Sequence, residues 1–300
     1  MKISDLINLA LNDRKQLLYR AARSNAARIA EDTRFSLRGR RYAAAMINNI
    51  EIALLGMRRS GNHAVIQWLQ ELGARNVGRT VFLNNLVPGD NGYRLRVWYP
   101  EKHTESEIET YQECRKKKNK PGSVGLLIRS YEDYGLKSFE NGFLNPFYYG
   151  GSRQIFKCVI YRDPPNLFAS RIRSGYTKTK EFDQVEMYLD NTAGIETRSD
   201  VIYINYNQFI ERAAYRAELA AKLGMRDDGV PVLQNMTVYG GGSSFGDAKL
   251  DVKSLTKRYL SMSDNPQFAT IMKDERILAR FERLFPDQFA DFRRSRDDQS

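Results

Sequence analysis

The chain has 300 residues, 47 Lys and Arg against 36 Asp and Glu, and a formal charge of +11. That length suits one large α/β domain with an appendage and can bury a full core unaided, while so basic a balance favours acidic ligands, nucleic acid or anionic membrane surfaces without choosing among them. Two widely spaced cysteines, Cys114 and Cys158, and only two histidines, His63 and His103, argue against a disulfide framework and a structural zinc site; no apolar run reaches the ~18 residues needed to span a bilayer and no signal-peptide core opens the chain, so the expected location is cytoplasmic.

Residues 1–48 read as a basic helical arm. Ser4 is a candidate N-cap, Leu6, Leu9, Leu17 and Leu18 supply apolar faces, and ten Lys/Arg stand against four Asp/Glu. Such an arm packs on the main domain with its basic face in water, or docks on a membrane surface. The main domain is expected over 49–292, with a charged, frayed tail at 293–300.

The main domain opens on a short apolar run ending at Gly56, then a polar loop. Val65, Trp68, Leu69 and Leu72 follow on one helical face. A strand–loop–helix of this kind aims backbone N–H groups and the positive helix end at one point, where phosphate is the usual ligand. A nucleotide triphosphatase loop reads G-x-x-x-x-G-K-[ST], with Lys on the phosphates and the hydroxyl on magnesium. Gly56 and Gly61 keep that spacing, but Asn62 and His63 take the next two places. The cations come earlier, at Arg58 and Arg59, so the loop reads as an anion site that needs no metal.

Further strands are expected near 80–83, 94–99, 124–128, 154–161 and 201–206, the last followed by a helix over 207–223 ending at Gly224. The run at 115–120 is cationic, and 134–152 is an aromatic-rich insertion. Pro164 and Pro165 end the fourth of these strands, and a helix from about Asn166 carries Ser170. Arg162 thus stands at a strand's carboxyl end, where parallel sheets bind ligands; with Ser170 it makes a second anion clamp. A glycine-rich loop containing Ser243, Ser244, Phe245 and Gly246 suits a ligand cover. Phe268, Ile271, Met272, Ile277, Leu278 and Phe281 predict a core-facing helical region over 265–285. The alternation of strands and helices implies an α/β fold with a mainly parallel sheet flanked by helices.

Two of these stretches together resemble the PAPS-dependent sulfotransferase superfamily, a P-loop-like fold whose co-substrate is 3′-phosphoadenosine 5′-phosphosulfate. The family's first motif is P-K-S-G-T-T-W or R-S-G-S-S, and Arg59 falls on its Lys/Arg position. The second is R-[ND]-P with a serine eight residues after the arginine, matched by Arg162, Asp163, Pro164 and Ser170. The pair stands about 100 residues apart in the expected order. The strand–helix element around Tyr206 and the glycine-rich loop are looser matches. The resemblance implies that Arg58, Arg59, Ser60, Gly61, Asn62, His63 and Ala64 hold the 5′ end of PAPS. It implies that Arg162 and Ser170 hold the 3′-phosphate, and that Tyr206 and the 243–246 loop border the nucleotide. Arg59 would neutralise the leaving oxygen as the bond to sulfur breaks.

In the family's cytosolic members the proton acceptor is a histidine after the second strand, and in many carbohydrate-acting ones it is a carboxylate. The corresponding stretch here is 128–133, and it contains no histidine. Glu132 is the first choice, Asp133 the second, with His63 and His103 behind them. The implied acceptor bears a hydroxyl or amine, on a glycan or an acidic small molecule; no nucleic-acid partner is expected, and oligomeric state is left open. Two other readings stand beside this one: a P-loop, kinase-like nucleotide enzyme, and a non-catalytic polyanion- or nucleic-acid-binding protein.

Overall fold

The computed structural model describes residues 46–83, 122–136, 150–176, 181–230, 232 and 256–297. Five strands form one sheet: β1 (Met46–Gly56), β2 (Thr80–Leu83), β3 (Val124–Glu132), β4 (Gly151–Tyr161) and β5 (Val201–Asn205). Their order is β2-β3-β1-β4-β5, and every pairing is parallel. The expected α/β architecture is therefore the one observed.

β1 lies in the middle because it is apolar on both faces. Ile50, Ile52 and Leu54 join one core, with Val65, Trp68, Leu69 and Leu72 of α1 (Asn62–Asn76) packed over them. Ile47, Ala53 and Leu55 join the core on the opposite face. Only a strand covered on both sides can carry such an unbroken run. Trp68 is fully buried and meets Phe209 edge-on at 5.4 Å, a geometry that contributes about 0.5–1.5 kcal/mol beyond area burial. Burial of β1 begins at Ile47 and its strand at Met46, so the sheet takes residues 46–48 that the arm was expected to hold.

After β1 the chain turns towards β3 and β2; after β4 it turns towards β5. The carboxyl ends of β1 and β4 therefore flank a switch point, where a crevice opens. β3 is longer than its apolar core predicts. It runs on through Arg129, Ser130 and Tyr131 to Glu132, and Arg129 is fully buried against Glu51 of β1. The register sets Glu132 beside Gly56 at the same sheet edge.

The helices differ from expectation where capping overrides periodicity. α2 (Pro164–Arg173) starts two residues early, because both prolines fit its first turn and Asp163 caps it through the Asn166 N–H at 3.0 Å. α3 (Glu181–Ala193) had no sequence-based prediction. The helix expected over 207–223 divides into α4 (Tyr206–Glu211) and α5 (Ala213–Lys222), with Arg212 extended between them. The region over 265–285 divides into α6 (Pro266–Ile271) and α7 (Glu275–Leu284), separated by the Asp274 N-cap. Fraying was expected from Arg293, but α8 (Pro286–Asp297) continues from there to Asp297. Phe292, 2% exposed, anchors that last helix against Phe281 at 5.7 Å.

The arm up to residue 45, the 94–99 strand, His103, the basic run at 115–120, most of the aromatic insertion and the 243–246 loop lie outside the described residues. Among the described residues no helix is long and apolar enough to cross a membrane.

Candidate functional site

The loop after β1 is a tight turn. Ser60 N–H donates to Met57 O at 3.0 Å. Arg59 has a left-handed φ of 74°, and Gly61 one of 104°. A Cβ at Gly61 would meet the Tyr206 ring at 2.1 Å. Gly61 is thus required twice, by its backbone angle and by Tyr206. Gly61→Ala should lower stability by about 1–3 kcal/mol, read from a denaturant midpoint; an unchanged midpoint would show that Tyr206 does not seat the loop.

The first residues of α1 close the loop from beneath. Ser60 Oγ donates to Asn62 Oδ1 at 2.8 Å, and Asn62 Nδ2 donates to Met57 O at 3.3 Å and Glu132 Oε1 at 3.1 Å. Asn62 is therefore engaged inside the loop, not aimed outward. Ala64 N–H donates to Gly61 O at 3.1 Å, so it belongs to the helix ladder.

The second cation arrives from β4. Arg162 sits between the strand's end and the Asp163 cap, and is 3% exposed. Its Nη1 donates to Arg59 O at 3.2 Å, and its guanidinium lies 5.1 Å from the Tyr206 ring centre. Arg59 Nε in turn donates to Ser170 Oγ at 3.1 Å. Two turns, distant in sequence, are thus interlocked. The two clamps, separate in the sequence, are joined here, because Arg59 reaches across to the serine of the second.

The electrostatics follow from the crowding. Burial pushes the Arg59 guanidinium below its ordinary pKa, and the neighbouring Arg162 charge adds to that, while Tyr176, Glu132 and Tyr206 oppose it. Burial also lowers the His63 imidazole, against the pull of Glu132 and with a push from Arg59. Burial thus favours the neutral form of His63. Its Nε2 stands 3.9 Å from Glu132 Oε1. Arg58 Nε lies 3.5 Å from Glu132 Oε2 and 3.4 Å from Asp133 Oδ2, and its guanidinium covers the Tyr176 ring at 5.3 Å.

Glu132 and Asp133 differ in what surrounds them. Glu132 faces the loop, His63 and Arg58. Asp133 Oδ1 accepts from the Arg58 N–H at 2.9 Å and from Arg171 Nη1 at 2.7 Å. Asp133 is committed to the loop's shape, and that geometry disfavours it as a proton acceptor.

Several residues of this constellation went unread in the sequence. Arg171 lies in the helix expected from about Asn166, with no role read for it, and it is 3% exposed. Asp163 Oδ2 accepts from Asn207 Nδ2 at 2.7 Å, and Tyr188 Oη donates to Arg162 O at 3.1 Å; together they fix the Arg162 turn. Asn166 ties that turn to the C-terminal segment by donating to Thr256 O at 2.7 Å. Arg258 follows from there, buried, its charge acting on Tyr206 alongside those of Arg162 and Arg59. The Asp-Pro signal at 163–164 announces the cap; nothing local announces the buried cations.

No family model matches the chain, and no curated protein does. Among solved structures it is similar to the sulfotransferase domain from the Synechococcus PCC 7002 olefin synthase, at 13% identity and a TM-score of 0.48, with 75% of this chain and 94% of that chain covered. At that distance the match says nothing of what this chain binds.

Proposed function

We propose that this chain is a sulfotransferase, moving a sulfuryl group from PAPS to a hydroxyl or amine of a carbohydrate or small-molecule acceptor. One observation carries the reading. Arg59 and Arg162, from turns 103 residues apart, meet through a 3.2 Å hydrogen bond at the sheet's carboxyl edge, with Ser170 in contact. The charges of Arg59 and Arg162 oppose each other, and an anion seated between them relieves that cost. A nucleotide with negative groups at both ends fits such a site, because it meets a helix N-terminus, two forks and a hydroxyl.

In the reaction, the acceptor oxygen or nitrogen attacks sulfur in line. The bond from sulfur to the bridging phosphate oxygen breaks, and 3′-phosphoadenosine 5′-phosphate (PAP) leaves. Arg59 neutralises the charge growing on that oxygen. The acceptor's proton passes to Glu132, with neutral His63 beside it to share the load. The kinase-like alternative has no support here: its lysine position holds Asn62, whose amide is engaged with Met57 and Glu132. Cys158 is a buried thiol whose pKa burial pushes up to about 12.

Thermal unfolding with PAP, with and without EDTA, tests the nucleotide half of the reading. At 100 times the dissociation constant, PAP should stabilise the fold by about 2.7 kcal/mol, unaffected by EDTA. No shift at millimolar PAP would sink the proposal. A steep salt dependence of nucleic-acid binding in its place would favour a polyanion binder.

A further inference from the structure

We infer that Arg171 is a positioning residue that sets the central peptide of the loop and, with Asp133, holds the loop in its anion-receiving shape. The inference rests on reading the loop as the PAPS clamp, but its geometry can be tested apart from that reading.

The peptide between Arg58 and Arg59 is the middle of a turn closed by Ser60 N–H on Met57 O. Such a peptide has two orientations. One leaves the following residue at negative φ; the other drives it to positive φ, a region that favours glycine. Here that residue is Arg59, at φ 74°. A side chain with a Cβ stays there only where its surroundings hold it.

The surroundings that hold it are specific. Arg171 Nη1 donates to Arg58 O at 3.0 Å, and Asp133 Oδ1 accepts from Arg58 N–H at 2.9 Å. The same Nη1 donates to Asp133 Oδ1 at 2.7 Å, closing a ring around the Arg58 backbone. Both polar groups of that residue are tied. A trans peptide points its N–H opposite to its C=O, so holding Arg58 O towards α2 turns the Arg59 N–H away from it. Asp133 also adopts a left-handed φ of 61°, and its own N–H donates to Gly56 O at 3.2 Å.

Arg171 is fixed in turn. Its Nε donates to Gln184 Oε1 at 2.9 Å, and Gln184 Nε2 donates to Tyr176 O at 3.3 Å. At 3% exposure its side chain is spent on loop and helix. It acts through the Arg58–Arg59 peptide, and so through the direction in which Arg59 leaves the loop.

The test uses the full chain and PAP. Arg171→Met should raise the PAP dissociation constant by about 10–100-fold. A crystal structure of Arg171→Met should show the 58–59 peptide turned over, with Arg59 at negative φ. An unturned peptide would overturn the inference whatever happens to PAP, and if Arg171→Met does not fold, the structure of Asp133→Ala decides in the same way. Asp133→Ala, which removes the acceptor of the Arg58 N–H, should resemble Arg171→Met in PAP affinity and in peptide orientation. Turnover abolished in Asp133→Ala with PAP affinity and peptide orientation intact would make Asp133 the proton acceptor and remove it from the brace. Wild-type protein that ignores PAP would end the sulfotransferase reading, and the peptide orientation would still decide the role of Arg171.

Discussion

Arg59→Ala should cut sulfuryl-transfer turnover by about 10²–10³-fold while weakening PAP binding by less than about tenfold. The split follows from when the charge is needed. In the proposed ground state the phosphosulfate would already be held by the loop and by the helix end. As the bond to sulfur breaks, a full negative charge collects on the bridging oxygen, and a nearby guanidinium is worth most at that moment. The interior setting raises its value, because burial and the adjacent Arg162 both work against the Arg59 charge until an anion arrives. Arg59→Lys should retain part of the rate, since an ammonium supplies charge but not the Nε–H now on Ser170. The measurement is kcat with saturating PAPS, set against a calorimetric Kd for PAP. Equal losses in both would mean that Arg59 binds the nucleotide uniformly and has no special part in the transition state.

What could be read in advance divides by the range of the interaction. The central strand announced itself through an apolar run, and α1 through the spacing of Val65, Trp68, Leu69 and Leu72, because burial on both faces leaves a local composition signal. Arg59 and Arg162 were legible through short motifs, since a phosphate loop and an Asp-Pro cap each need fixed residue types at fixed offsets. Arg171 was not. Its neighbours in sequence describe an ordinary amphipathic helix, and only the crossing of α2 over the loop buries it against Asp133. The same holds for Glu51 and Arg129, charged residues in mid-strand that pair across β1 and β3. Their polarity cut short the strand expected at 124–128, although a partner on the next strand satisfies them. Tertiary partners also moved the helix limits: Asp274 caps α7 inside a continuous apolar pattern, and Phe292 holds α8 beyond the point where charge alone suggests fraying. Asp133 was a reasonable base by composition, and only its two donors, Arg58 N–H and Arg171, show it to be occupied.

Arg162→Ala should produce the opposite split: PAP affinity falling about 10²-fold or more, with turnover at saturating PAPS within about tenfold of wild type. A guanidinium fork on a phosphate makes two charge-assisted bonds of about 1.5–3 kcal/mol each, and the affinity carries their sum less what the arginine already gains in the free protein. That offset is visible. Arg162 donates to Arg59 O and lies over the Tyr206 ring, so part of its capacity is spent before any ligand binds. Tyr188 holds its backbone carbonyl and the Asp163 cap on Asn166 fixes the turn that follows, which keeps the ordering cost on binding small. The fold should lose about 1–3 kcal/mol in the same variant, because Arg59 O forfeits a buried donor. Calorimetric titration with PAP at a temperature well below the variant's Tm separates affinity from stability. Arg162→Lys should recover a fraction of the affinity through charge without the fork. An unchanged Kd in Arg162→Ala would remove Arg162 from the clamp, and with it the convergence of two distant turns on one nucleotide.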